Sequence, residues 1–314
     1  MISVNIQIQP FSEVYTDAAL DLLQEVAPTL IQADLLPGDP GCETLLALAG
    51  DHPVGLARTY RLASTPQGRL FVGIVVEPAT RRRGIGTQLL DAVRGRVKGV
   101  FPEGQLLANF DDSAAATLAF AEAHGFEIQR HMLNMQMDLS TFDAAPFQPA
   151  IEQAQASGIR FVTYAELGDT PANQRRMYDL NYTLNRQIPI AEALRMPFTA
   201  FESYVAARLG RPETHKHEGI FIALDGDEWI GFSGISIHRD KGFAFNEMTG
   251  VLTAYTGRRL AQALKTLALQ FAQTQAVPQV RTFNDAGNAP MLAVNEKLGY
   301  QRTDGFYTVW LRTL

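Results

Sequence analysis

Apolar residues recur along the chain with two different periods, and the change from one to the other marks out its elements. The opening residues Met1-Ile2-Ser3-Val4-Asn5-Ile6-Gln7 alternate apolar and polar, which predicts a first strand over residues 4–8 rather than a signal peptide. A second run, Leu70-Phe71-Val72-Gly73-Ile74-Val75-Val76, predicts a strand ending at Val76. Just beyond it Ile85, Leu89, Val93 and Val97 return every fourth residue, the single apolar face of a helix. A short strand ending at Asn109 follows, then an alanine-rich helix closed by Gly125 as its C-terminal cap, then a last long strand.

The same order is written twice. "ALAGDHPVG" (47–55) is answered by "ALDGDEWIG" (223–231), each a strand, a Gly-Asp turn and a returning strand. "VVEPATRRRGIGTQLL" (75–90) is answered by "GVLTAYTGRRLAQALK" (250–265), and "LLANFDDSAAATLAFAEAHGF" (106–126) by "VRTFNDAGNAPMLAVNEKLGY" (280–300). Each match stands about 175 residues from its partner, in one order, so the chain holds two copies of one domain. An α/β (α+β) fold is expected for each copy: a mixed, mostly antiparallel sheet flanked by helices. "DLSTFDAAPFQPAIEQAQASG" (138–158) has two prolines and little apolar periodicity. The expected division is therefore a domain over 1–140, a linker over 141–157 and a domain over 158–314.

Composition narrows the function. A length of 314 residues suits two domains. No apolar run approaches the roughly 18 residues that would suggest a membrane span, so no membrane partner is expected. The single cysteine, Cys42, leaves no internal disulfide or multi-cysteine metal site, which suits a reducing cytoplasm; no bound metal is expected. A net charge of −6 argues against a general nucleic-acid binder while allowing a local basic site for a small anion.

Such a site is offered by "RRRGIG" (81–86), between the strand ending at Val76 and the helix opening at Ile85. On its residues alone the stretch is either a solvated basic turn or the floor of a phosphate site. A P-loop would need a lysine that Gly84-Ile85-Gly86-Thr87 lacks. A dinucleotide fold would need a third glycine where Leu89 stands and an acidic residue where the next strand ends in Asn109. N–H groups at a helix N-terminus have no intrahelical partners and carry the positive end of the dipole, so a pyrophosphate is a suitable ligand.

The spacing Arg-x-x-Gly-x-Gly, with Val76-Glu77-Pro78 ahead of it, resembles the acetyl-CoA site of the GCN5-related N-acetyltransferases (GNAT). "AFAEAHGF" and "AVNEKLGY" resemble that family's closing helix and strand start, so the resemblance covers both copies. It implies acetyl-CoA, or another acyl-CoA, held by Arg81, Arg82, Arg83, Gly84, Ile85, Gly86 and Thr87. Pantetheine would lie between the strand of Ile74, Val75 and Val76 and the strand ending at Asn109, with strand N–H groups receiving the thioester oxygen. In the second copy Thr256 replaces Arg81 and Arg259 replaces Gly84, so the cofactor is expected in the first copy.

The family's usual acid and base are displaced in this chain. The tyrosine position holds Ala121 in one copy and Asn295 in the other, and the glutamate on the strand before the loop is Val72 in the first copy and Glu247 in the second. Glu247 and Glu77 are the candidate catalytic carboxylates. His124 is read as a helix C-terminal cap, Asp111 and Asp112 as caps of the next helix, and His215-Lys216-His217-Glu218 as a solvated loop. The segment 179–205 is expected to cover an acceptor pocket. The implied function is transfer of an acetyl group to the amine of a small molecule or peptide by a monomer or homodimer. The alternative is a non-catalytic acyl-CoA-binding or sensing protein.

Overall fold

The computed structural model describes residues 6–26, 40–61, 65–190 and 197–311. In chain order the first repeat runs β1 (Ile6–Pro10), α1 (Thr16–Val26), β2 (Thr44–Ala49), β3 (His52–Tyr60), β4 (Arg69–Val76), α2 (Ile85–Val100), β5 (Gln105–Asp111), α3 (Ala115–Ala123) and β6 (Glu127–Asp138). Next come α4 (Gln148–Ala156), β7 (Ile159–Thr163), α5 (Tyr164–Leu167), α6 (Pro171–Gln187), α7 (Phe201–Tyr204), β8 (Ile220–Asp225) and β9 (Glu228–His238). The chain closes with β10 (Phe243–Val251), α8 (Leu260–Gln273), β11 (Gln279–Asp285), α9 (Ala289–Lys297), β12 (Gln301–Arg302) and β13 (Phe306–Leu311). Of the expected opening strand, Val4 and Asn5 lie outside the described residues.

Two compact units result: residues 1–130 with 307–314, and residues 131–306. The strand order is β1-β2-β3-β4-β5-β13 in the first and β6-β11-β10-β9-β8-β7 in the second. The closing strand of each repeat thus lies in the sheet of the other. β6, written in the first repeat, runs antiparallel to β11, with Met132 opposite Asp285 and Asp138 opposite Gln279. This differs from the expected boundaries at 140 and 158. The stretch 141–157 also differs from a loose linker. Pro149 stands in the first turn of α4, where its missing N–H costs nothing, and Ala150, Ile151 and Ala154 are buried.

Local chemistry explains the repeated elements. Gly50 and Gly226 take positive φ (64° and 57°) in the Gly-Asp turns between β2 and β3 and between β8 and β9. The face of α2 formed by Ile85, Leu89, Val93 and Val97 is buried against the first sheet, about 1.5–3 kcal/mol for each side chain removed from water. Leu260, Leu264, Ala268 and Ala272 do the same from α8. Both α3 and α9 end in the same cap, with Phe126 N–H bonding Ala121 O and Tyr300 N–H bonding Asn295 O around Gly125 and Gly299. The expectation that Asp111 or Asp112 caps α3 is not met. Asp111 ends β5, and the residue before the helix is Ala114, which has no side-chain oxygen to offer.

Candidate functional site

In each unit two neighbouring strands start as a parallel pair and then part. β4 pairs with β5 only over Arg69, Leu70 and Phe71, leaving 72–76 and 108–111 to diverge. β10 pairs with β11 only over Phe243, Ala244 and Phe245. Beyond these points the facing edges offer backbone N–H and C=O groups that no strand among the described residues takes up, which suits an extended ligand lying in the gap. Ile74, Val75 and Val76 line this opening in the first unit. Asn109, opposite them on β5, accepts a hydrogen bond from Thr308 Oγ1 at 2.8 Å.

The loop after β4 is a short 3-10 turn (Pro78–Thr80) followed by residues 81–84. Arg81 Nε donates to Val76 O at 3.0 Å, which folds the arginine back over the strand end. Arg82 and Gly84 are both left-handed, with φ of 63° and 80°. A Cβ at Gly84 would meet nothing within 4 Å, so this glycine serves backbone conformation and leaves open space outside the helix start. Gln88 N–H makes the first helical bond, to Gly84 O at 3.0 Å. The N–H groups of Ile85, Gly86 and Thr87 therefore have no partner within the helix. Arg81, Arg82 and Arg83 are exposed around them.

The second copy keeps this backbone. A 3-10 turn (Thr253–Tyr255) replaces Pro78–Thr80, and Thr256 matches Arg81 in conformation (ψ 159° and 161°). Gly257 and Arg259 are left-handed at 77° and 60°. The glycine has moved from the second left-handed position to the first, and Arg259 holds a conformation that costs a side chain about 1–2 kcal/mol. The loop is thus not remodelled, although Arg259 replaces a glycine.

Two irregularities stand out among the described residues of the second unit. The β9–β10 register shifts between Asn246 and Thr249, a β-bulge that includes Glu247, whereas β3 and β4 pair without interruption from Gly55–Val76 to Tyr60–Phe71. Bulges re-aim side chains, and they concentrate beside active sites. Facing this bulge, Val205–Leu209 form a π-helical turn after α7, and that turn carries Arg208.

The two irregularities share one pocket, lined by Asn181, Tyr204, Arg208, His215, Glu247 and Met248. Glu247 Oε2 lies 2.7 Å from Arg208 Nη1, and Glu247 Oε1 accepts from Ser236 Oγ at 2.7 Å. His215 Nε2 is 3.5 Å from Oε1. Burial by itself raises the Glu247 pKa. The hydrogen bond to His215, the Arg208 charge and Ser236 outweigh burial and hold the carboxylate below its ordinary value. Burial also pushes the Tyr204 hydroxyl up to about 12, so it remains a proton donor. The arrangement is a half-buried anion, kept ionised, beside a more exposed guanidinium.

Other candidates fall elsewhere. Glu77 stands at the loop start, 3.8 Å from His52 Nε2. His124 caps α3 as expected, with Nδ1 on Phe120 O and Nε2 at 3.1 Å from Thr87 Oγ1. The reading of 215–218 as a solvated loop is overturned for its histidines. His215 enters the pocket, and His217 Nε2 bonds Leu209 O at 2.9 Å with its ring edge-on to Tyr164. Asn295, in the tyrosine position, is fully buried and donates to Asn284 Oδ1 at 2.7 Å. Arg208, Ser236 and His238 carry no signal in the sequence. No period or motif distinguishes a single arginine after an aromatic segment, or two polar residues inside an apolar strand.

Paired splayed strands, each followed by a left-handed loop and a helix start, define an acyl-CoA-dependent acetyltransferase fold. The acetyltransferase (GNAT) domain family matches residues 40–128, and the acetyltransferase (GNAT) family matches residues 186–300. The chain belongs to the GNAT family, with two such domains in tandem. It is an acetyl-CoA-dependent N-acetyltransferase that acts on an amine, and the non-catalytic alternative gives way. Among its relatives is the mycothiol acetyltransferase of Thermomonospora curvata, 29% identical over 279 residues, covering 88% of this chain and 85% of that protein. The mycothiol acetyltransferase of Corynebacterium glutamicum is 24% identical over 292 residues, covering 90% and 86%. Among solved structures, a GCN5-related N-acetyltransferase from Sphaerobacter thermophilus has a TM-score of 0.69 at 17% identity, covering 98% of both chains. A tandem GNAT protein from the clavulanic acid biosynthesis pathway has a TM-score of 0.63 at 19% identity, again covering 98% of both. No helix among the described residues is long and apolar enough to cross a membrane.

Proposed function

We propose that acetyl transfer takes place in the second unit, at the pocket holding Glu247, and that the 81–86 loop of the first unit is an acetyl-CoA site of its own. One observation carries this reading: in the second unit a half-buried ionised carboxylate, a β-bulge and the parting of β10 from β11 coincide. In the first unit the loop is present, but Val72 stands where the carboxylate would be.

Bound acetyl-CoA supplies an acetyl group activated as a thioester. In the first unit its pyrophosphate fits the open N–H groups of Ile85, Gly86 and Thr87, with Arg81, Arg82 and Arg83 at the rim. In the second, the N–H groups of Leu260, Ala261 and Gln262 are the equivalents, since Ala263 N–H makes the first helical bond to Arg259 O. Glu247 receives the proton lost by the acceptor amine. Arg208 disfavours a charged ammonium beside it and so favours the neutral, nucleophilic amine. The small pocket and the relatives' name, mycothiol acetyltransferase, support a small-molecule acceptor over a peptide. The single cysteine supports a cytoplasmic setting, and the protein is read as a monomer or homodimer.

The test is a calorimetric titration of acetyl-CoA with turnover measured on the same samples. Gly84→Glu is expected to remove one binding event and keep turnover. Ala261→Glu, which sets a carboxylate at the second helix start, is expected to remove the other and abolish turnover. Glu247→Gln is expected to lower kcat by about 100-fold or more with binding intact. Loss of turnover in Gly84→Glu alone would move the chemistry to the first unit.

A further inference from the structure

We infer that Ser236 and His238 form a relay that carries the acceptor's proton from Glu247 to solvent. The inference rests on the reading of Glu247 as the proton acceptor. Ser236 and His238 stand two residues apart on β9 and so share one face of the sheet. They lie opposite Phe245 and Phe243 of β10. Ser236 Oγ is 2.7 Å from Glu247 Oε1 and 3.1 Å from His238 Nε2. The chain of contacts runs from a half-buried carboxylate, through a fully buried hydroxyl, to a half-buried imidazole at the turn that ends the strand.

Glu247 needs such a partner because a carboxylate held ionised is weak at keeping a proton. Of its neighbours, Arg208 is permanently charged and has no acceptor. His215 Nε2 already lies 3.3 Å from Arg208 Nη1. Ser236 is neutral, and its oxygen both accepts and donates. His238 faces Glu247 from β10, Asp240 and Lys241 from the adjoining turn, and His215 from the segment before β8. Burial lowers its pKa against the pull of Glu247, with Lys241 and His215 adding to the lowering and Asp240 opposing it. An uncharged ring able to accept a proton is the result at neutral pH.

The step balances. The amine N–H bond breaks as an O–H bond forms on Glu247 Oε1. The Ser236 hydroxyl, which donates to Oε1 at rest, then turns to His238 Nε2, and the carboxyl proton moves to Ser236 Oγ while the serine's own proton passes to the imidazole. The imidazolium then releases one proton to water, and Ser236, whose new hydrogen lies on the Glu247 side, is back in its starting state. Ser236 and His238 are positioning residues that act through Glu247.

The test compares Ser236→Ala, His238→Ala and Glu247→Gln in the full chain. Both relay variants are expected to lose about tenfold or more in kcat with little change in the KM of the amine. Added imidazole is expected to restore His238→Ala, more strongly as the buffer base strengthens, and to leave Glu247→Gln unrestored. Without any substrate, the nitrogen NMR signal of His238 Nε2 is expected to move in Ser236→Ala. Wild-type kcat in both relay variants beside an impaired Glu247→Gln would overturn the relay and leave Glu247 as the acceptor. An unmoved His238 signal would also overturn it. Full activity of Glu247→Gln would instead overturn the reading on which the relay rests.

Discussion

Arg208 and Glu247 meet at 2.7 Å, and each stands on an interruption of regular backbone, the arginine in a π-helical turn and the glutamate at a β-bulge. Both irregularities fall at the residues that form the ion pair, and bulges and π-turns are devices that re-aim side chains.

Replacing Arg208 by methionine keeps much of the apolar stem and removes the cation. Glu247 is held below its ordinary value partly by that charge, so its pKa is expected to rise. The activity that depends on ionised Glu247 then disappears at a higher pH, and the acid limb of the kcat/KM profile moves up. The stability contributed by the depressed carboxylate is present above its unfolded-state value and lost as pH falls through the folded one. Arg208→Met should therefore narrow the stability gap to wild type as the solution is acidified below about 4.5, the ordinary glutamate value. A carbon NMR titration of Glu247 separates this from a simple packing loss.

The left-handed pair at 82/84 and 257/259 gives a prediction in opposite directions. Gly84→Ala adds a Cβ that touches nothing within 4 Å, so its cost is backbone strain alone, about 1 kcal/mol. Arg259→Gly relieves that strain and is offset in part by the greater freedom of glycine in the unfolded chain. Denaturant unfolding should show a lower midpoint for the first variant and an unchanged or higher one for the second.

Much of this organisation could be read from local pattern. The four-residue recurrence of Ile85, Leu89, Val93 and Val97 fixed a buried helix face, and the glycines at 125 and 299 marked helix ends because only a positive φ closes that cap easily. Strand partners could not be read in the same way. Residues 306–311 announce a strand, but nothing local says that it lies beside β5 rather than in its own repeat. Proline has two meanings at α4: a pair of prolines predicts a linker over 141–157, whereas Pro149 stands in the first turn of a helix. Glu247 was legible through the repeat, whereas Arg208, Ser236, His215 and His238 gain meaning only by converging on it in three dimensions.

Lys265 offers a test of burial. It sits fully buried on α8 with Nζ 5.2 Å from the Tyr300 ring centre, and burial lowers its pKa from 10.5 to about 7. Above that value the folded chain has lost a proton that the unfolded chain still binds, so this residue makes stability rise from pH 7 towards 10.5. Lys265→Leu, which copies the equivalent Leu90 of the first repeat, should be more stable than wild type at pH 7. Its unfolding midpoint should also vary less across that range.

Exchange of closing strands predicts that damage near one end of the chain is felt in the unit built from the other. Leu311, in β13, is buried in the core of the first unit with Val309, Leu89 and Val93. Met135, in β6, is buried in the second with Ile235, Leu269 and Leu298. Leu311→Ala should cost about 2–5 kcal/mol and speed hydrogen exchange in β2, β3 and β4, more than 200 residues earlier in the sequence. Met135→Ala should cost a similar amount and act on β9, β10 and β11 instead. Faster exchange in α8 and β11 after Leu311→Ala, with β2 to β4 unchanged, would mean that each repeat closes its own sheet.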